Sequence, residues 1–425
     1  MADTTMRLSD LCDLVGVQVD PANYANGVYI GLEHVASGRF VRFGEGEASD
    51  VQSGKYLFQS GDVLYGKLRP YLDKAVLAAD TGICTTELLV LRPKEGVDPR
   101  FLVGVVHAPT FIEHAVSGTT GVQHPRTSWG HIANYELPAF DSREQVKIAN
   151  LLWEVHDAIT ANEAAIEAGG DLKRAAMRAL FTKGLQGETQ KETEIGPVPG
   201  SWDVGRLDRY ATIISTRMSY SELENIDPSN DGETVKVLGI KVADMNLPGN
   251  EVELVSAKLE KDLPRAIAEY RCAPPRTIIF PKRGAAIATN KKRIANEWTA
   301  FDPNVIGVIG GTDLDQDFLF HWFQTFDLKT ITEPGPTPQL NKKNLEPLTI
   351  PVPPTLDEQR EIVGILDAID RKIDLHRRKR GVLDKLFKAL LHKLMTGEIR
   401  VSDLDLSALS SDPAASPKKT PEVAA

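Results

Sequence analysis

Apolar positions along the chain form two long helical stripes separated by shorter strand-like runs. Ile148, Leu152, Val155, Ile159, Asn162 and Ile166 alternate four and three apart, the spacing of a heptad seam. Ile362, Leu366, Ile369, Ile373 and His376 repeat the rhythm further on. Asp141 and Thr355 each stand three residues before a Glu, Glu144 or Glu358, as an N-cap and its N3 partner do. Pro353-Pro354 keeps the second helix from starting earlier. About 40 residues at ~1.5 Å each predict rods of roughly 60 Å. Asp62–Tyr65, Leu88–Leu91, Thr277–Phe280 and Val305–Ile309 are β-like runs bounded by Gly and Pro, while 101–114 and 316–327 read as helices.

The two long stripes belong to one internal repeat. Glu144-Gln145 matches Glu358-Gln359 at an offset of 214 residues, and the same offset pairs Leu152 with Leu366, Ile159 with Ile373 and Leu180 with Leu394. Upstream of each helix lies a similar strand-like end, Glu136-Leu137-Pro138 and Thr349-Ile350-Pro351, and Arg7-Leu8 and Arg206-Leu207 open the two halves. The expected fold is therefore α+β. Two globular domains are joined by two long helices packed as an antiparallel coiled coil, with pseudo-two-fold repetition.

The expected boundaries are a first domain at 1–140, a helix at 141–185, a polar linker at 186–200, a second domain at 201–354, a helix at 355–398 and a disordered tail at 399–425. Asn162 and His376, polar at matched seam positions, read as fixing register. Gly169-Gly170 and Gly381 read as kinks or frayed turns.

Composition narrows this only a little. A chain of 425 residues with 42% hydrophobic and 25% charged residues fits two or three ordinary domains. Three scattered cysteines suggest neither a disulfide framework nor a zinc site. No basic, apolar leader and no run of roughly 18 apolar residues is present, so a cytoplasmic protein without membrane contact is expected. The net charge of −10 disfavours nucleic acid only on average, because binding depends on the local field. Arg371 to Lys393 holds nine Lys or Arg against Asp374 and Asp384.

No phosphate loop, zinc-ligand pattern, nucleophile elbow or Asn/Asp-Pro-Pro-aromatic tetrapeptide occurs, which points to binding, not turnover, with no catalytic and no metal site. The binding candidates sit at strand ends: Lys67, Arg69 and Lys74 in the first domain, Lys282 and Arg283 in the second, with Asn290, Lys291, Lys292 and Arg293 beyond. Such cations neutralise phosphates, and Arg also pairs with guanine edges. A loop before each long helix adds Gln123 and Arg126, and Gln339, Asn341, Lys342 and Lys343, side-chain types that read bases. A solvated turn is the competing reading of the same residues. A self-contained nuclease or methyltransferase, and a coiled-coil scaffold, remain as alternative functions.

Gly61-Asp-Val-Leu-Tyr-Gly-Lys-Leu-Arg-Pro-Tyr-Leu-Asp-Lys-Ala75, Ile195-Gly-Pro-Val-Pro-Gly-Ser-Trp202, the Glu358-Gln359 helix start and Leu391-x-x-Leu394-Met-Thr-Gly-Glu398 together resemble the type I restriction–modification specificity-subunit family. The resemblance runs from about residue 6 to 400. It implies two target-recognition domains, each reading half of an asymmetric, bipartite site in double-stranded DNA. It implies spacer helices that set the gap and dock two methyltransferase subunits, with motor–nuclease subunits joining them. S-adenosylmethionine, ATP and Mg would then sit on those partners, and no cofactor on this chain. Lys67 and Arg69 would position phosphates more than choose bases.

Overall fold

Each half of the chain is closed by two short strands drawn from its beginning and its end. Thr5–Arg7 pairs antiparallel with Glu136–Pro138, placing Arg7 opposite Glu136. Asp203–Arg206 pairs with Thr349–Val352 in the same way, placing Arg206 opposite Thr349. The opening and closing fragments of each half are thus each other's partners. The structure, a computed structural model, describes residues 5–24, 27–226, 233–333 and 338–404. It divides into two units, Met1–Ala164 with His376–Ala425, and Ala165–Leu375, so each long helix lends one part to each unit.

The first unit holds a four-stranded antiparallel sheet in the order Cys12–Val15, Leu88–Pro93, Val63–Gly66, Ala75–Leu77. A second sheet of five short strands includes Lys55–Phe58 and Gly82–Cys84. Helix Pro99–His107 lays Phe101, Leu102 and Val105 against Val63 and Leu91 of the first sheet. Ile148, Leu152, Val155 and Ile159 join the same core, with Phe387, Leu391 and Leu394 of the second long helix. The seam read from sequence is buried here, Leu152 fully.

The second unit repeats the plan. Its five-stranded sheet runs Ala211–Ile214, Val305–Gly310, Ile278–Pro281, Arg293–Ala295, Glu253–Leu254. A three-stranded sheet, Leu259–Pro264, Thr234–Ile240 and Trp298–Phe301, stands beside it. Helix Gln316–Phe323 packs Phe318 and Phe323 with Ile278, Phe280, Met177, Phe181, Ile362 and Leu366. Ile373 is buried and Ile369 half-buried. Trp202 is fully buried beside Phe181 and Phe318, and its indole N–H donates to Glu358 Oε1 at 2.9 Å.

The long helices span Ser142–Lys183 and Leu356–Met395, capped as their sequences predict. Glu144 N–H donates to Asp141 Oδ1 at 2.8 Å and Glu358 N–H to Thr355 Oγ1 at 3.2 Å. The shared Gln has a structural reason. Buried Gln359 donates to the Asp313 carbonyl at 3.0 Å and accepts from Asp315 N–H at 2.6 Å, tying the long helix to the N-cap of Gln316–Phe323. Gln145 does the same for Pro99–His107, accepting from Asp98 N–H at 3.4 Å and donating to Phe140 O at 3.0 Å. Asn162 and His376, 214 residues apart, meet directly through Oδ1 and Nδ1 at 2.9 Å.

Four expectations need correction. The 186–200 stretch, read as a linker, contains a β-hairpin of Gln190–Thr193 with Gly196–Pro199; Val198 and Pro199 are buried and Lys191 donates to the Gly200 carbonyl at 3.2 Å. The 399–425 tail is not wholly irregular, since Ile399, Val401 and Leu404 pack on the first core, while 405–425 lie outside the described residues. Neither Gly169-Gly170 nor Gly381 interrupts its helix. A Cβ on Gly169 would fall 2.7 Å from Ile373 Cγ1, so this glycine permits close approach. Finally, the 101–114 helix is two helices, Pro99–His107 and Pro109–Ser117, because Pro109 sends Ala108 to extended backbone.

Candidate nucleic-acid interface

Strand Val63–Gly66 delivers the first basic motif to a fixed place. Lys67 N–H donates to the Glu87 carbonyl and Thr127 N–H to the Lys67 carbonyl, both at 3.0 Å. Leu68 bridges Arg126, and Arg69 N–H donates to Pro125 O at 2.7 Å. The two candidate loops of this domain therefore form one edge. Arg69 takes left-handed backbone (φ 51°) and its guanidinium donates to Gln123 O at 3.3 Å. Gln123 is exposed, as are neighbouring Tyr71 and Leu72.

The second domain rebuilds this edge from different residues. Strand Ile278–Pro281 ends at Lys282, whose N–H donates to the Asn304 carbonyl at 2.7 Å. Leu340 N–H donates to Lys282 O at 2.9 Å, and Arg283 bridges Gln339. Lys282 thus occupies the position of Lys67, and Leu340 that of Thr127. Gly335 and Thr337 of this loop lie outside the described residues.

The two edges differ in charge. Arg126 is spent on a bidentate pair with Glu87, at 3.0 Å through both Nε and Nη2, which holds its guanidinium more strongly protonated than usual. Lys67, Lys282 and Arg283 have no ion pair or side-chain hydrogen bond among the described residues. Lys342 pairs with Glu346 at 3.4 Å and Lys343 with Glu333 at 2.8 Å. Asn341 caps the short helix Lys342–Leu345 and donates to Glu333 at 3.4 Å.

Five predicted contacts are engaged inside the protein. Lys74 donates to the Leu32 carbonyl at 2.6 Å. Asn290, at φ 51°, donates to Phe326 O at 3.3 Å and accepts from Leu328 N–H at 2.9 Å. Lys292 is only 3% exposed, donates to Phe326 O at 2.6 Å, and burial pushes its ammonium down to about 8. Burial likewise lowers Arg293, whose guanidinium donates to Lys292 O at 2.9 Å and Met245 O at 3.1 Å. Lys291 is bonded to Asn246. The charge run looked solvated, but Arg293–Ala295 is an inner strand of the sheet, and backbone carbonyls take the Lys292 ammonium and the two Nη groups of Arg293.

Sequence reasoning missed a pair of helix histidines, His107 and His321, again 214 apart. His107 Nδ1 meets Asp73 Oδ1 at 2.6 Å, and Nε2 meets the Ala75 carbonyl at 2.9 Å. His321 Nε2 meets Asp367 Oδ1 at 2.9 Å, which holds that carboxyl below its usual range. Asp370 lies close by but is paired with Lys173 at 2.6 Å. Burial pushes the Cys12 and Cys84 thiols up to about 12 and Cys272 to about 11, leaving unreactive thiols. Among the described residues, no helix is long and apolar enough to cross a membrane.

Known proteins resemble this chain in sequence and in fold. Residues 239–385 match the model of the type I restriction modification DNA specificity domain. A putative type I restriction enzyme MjaX specificity subunit from Methanocaldococcus jannaschii is 27% identical over 370 residues, 82% of this chain and 80% of that one. The crystal structure of a type I restriction-modification S subunit from M. genitalium superposes with a TM-score of 0.59 at 15% identity, over 92% of this chain and 96% of that one. A structure from work on assembly and conformational transition of the type I R-M system gives 0.53 at 20% identity, over 93% and 98%. Residues 239–385 carry the DNA specificity domain of type I restriction–modification systems. The chain is a relative of type I restriction enzyme specificity subunits.

Proposed function

We propose that this chain is the non-catalytic DNA reader of a type I restriction–modification enzyme, with target-recognition domains at 1–140 and 201–354 that each read half of an asymmetric, bipartite site. The observation that carries the reading is the rebuilt edge: one strand end and one pre-helix loop meet in the same way at Lys67 and at Lys282, on otherwise different surroundings. A repeated framework with unlike side chains suits two half-sites of different sequence. Lys67, Lys282 and Arg283 hold phosphates, and exposed Gln123 and half-buried Gln339 are the candidates for base contacts.

The long helices are read as an antiparallel coiled coil that sets the unread gap and receives two methyltransferase subunits, with motor–nuclease subunits joining the assembly in the cytoplasm. Those partners supply S-adenosylmethionine, ATP and Mg. Methylation-sensitive sequencing of DNA from cells carrying the complete system tests the reading. A split methylated motif is expected. Exchanging residues 1–140 for another recognition domain should change one half only, and inserting residues between Ala161 and Ala168 should change the gap. A continuous motif, or a gap indifferent to insertion in an active complex, overturns it.

A further inference from the structure

The loop that follows Arg69 is not held by its own residues alone. It passes through Pro70–Leu72 to Asp73, which also takes left-handed backbone (φ 51°). Two interactions fasten this turn: Gly38 N–H donates to the Asp73 carbonyl at 2.8 Å, and the Asp73 carboxylate faces His107. The His107 side chain is 1% exposed and Asp73 is 23% exposed. The Ala75 carbonyl can only accept, so His107 Nε2 carries a proton, and Nδ1 meets the Asp73 carboxyl. Both ring nitrogens are thus engaged, one by the turn and one by the strand that follows it.

The other face of His107 is braced by Phe40, whose ring centroid lies 5.3 Å away. Phe40 in turn stacks on His156 of the first long helix at 5.1 Å and 11°, and its N–H donates to His156 Nε2 at 3.2 Å. That nitrogen is therefore bare, and His156 is neutral. Burial, with Arg39 and His107 nearby, lowers its proton affinity, against the opposing pull of Asp157. The remaining ionisable neighbour is Tyr65, whose hydroxyl is buried near Asp73 and stays protonated. Two histidines thus flank a single phenyl ring between the loop and the long helix.

We infer that His107, bonded to both Asp73 and Ala75, is a positioning residue that holds the Arg69–Asp73 turn in its DNA-contacting shape and ties it through Phe40 to the first long helix. The inference rests on the reading of Lys67 and Arg69 as DNA contacts. The second domain lacks the device, because His321 makes one ring bond, to Asp367 on the second long helix, and its Nδ1 has no partner.

The test uses the full chain assembled with its methyltransferase subunits, and duplexes carrying the recognised site or a change in either half. His107→Gln should weaken discrimination in the first domain's half-site about tenfold, the size expected when a buried hydrogen-bond partner is lost, and leave the other half unchanged. Asp73→Asn keeps a hydrogen-bonding partner for Nδ1 and tolerates the left-handed backbone, and should lose less discrimination than His107→Gln. Lys67→Ala/Arg69→Ala is the control: if it leaves binding intact, the DNA reading of the loop fails on its own. If it weakens binding while His107→Gln leaves discrimination in the first half-site untouched, the positioning role is wrong. Nitrogen-15 spectra of histidine-labelled wild-type chain give an answer independent of variant folding: a His107 ring hydrogen-bonded at both nitrogens is expected, and a ring with one nitrogen unbonded overturns the inference.

Discussion

The two units share a framework and differ in what they attach to it. In both, a buried Gln fastens a long helix to the N-cap of the helix before it, and a buried His extends from that preceding helix. In the first unit the His reaches a loop carboxylate, Asp73; in the second it reaches Asp367 on a long helix. The edges diverge likewise, with Arg126 neutralised by Glu87 in one and Arg283 left unpaired among described residues in the other. Such divergence shows that repetition conserves the contacts that build the frame, while residues on its outer edge are released from one another.

The largest expected effect separates the edges. Lys282→Ala/Arg283→Ala should weaken DNA binding by roughly tenfold to a hundredfold and reduce the slope of log affinity against log salt by about two. Arg126→Ala should leave that slope nearly unchanged, because its charge is already answered by Glu87. Binding isotherms at several salt concentrations decide between them, and equal slopes would erase the contrast.

Removing the shared Gln measures how deeply each frame depends on it. Gln359→Leu strands Asp315 N–H and the Asp313 carbonyl, and a loss of about 2–3 kcal/mol in chemical denaturation is expected. Gln145→Leu breaks longer bonds and should lose about 1 kcal/mol. A smaller effect distinguishes two adjacent glycines. Gly170→Ala meets only the tip of Arg174 and should stabilise the helix by about 0.5–1 kcal/mol. Gly169→Ala should instead destabilise by about 1 kcal/mol or more through Ile373.

Lys292→Met tests an absence of effect on DNA binding. Its wild-type ammonium is depressed in the folded chain, so the unfolded chain binds more protons between about pH 8 and the ordinary lysine range. Wild-type stability should therefore rise with pH across that window, and the variant should lose the rise. Denaturation midpoints at pH 8 and 10 check the sign.

The frame was legible because its signals are local. Heptads, Asp141 and Thr355 as caps, and the Glu-Gln repeat are all set within a few residues. The edge was half legible: Lys67 and Lys282 stand out at strand ends, but their meeting with Thr127 and Leu340 depends on long-range register. Lys292 and Arg293 were misread because a charge run carries no mark of the sheet that buries it. His107 and His321 did leave a signal, a shared residue at the repeat offset, and only the structure shows that they serve different partners.

The neck strands carry a further consequence. Since Arg7 lies opposite Glu136, and Arg206 opposite Thr349, the chain enters and leaves each domain at adjacent points. Everything between is an insert on a closed stem, whose outgrowth or wholesale replacement leaves the stem's own bonds intact. On the proposed reading, recombination at these four short segments would give a lineage new addresses without redesigning the machine that acts on them.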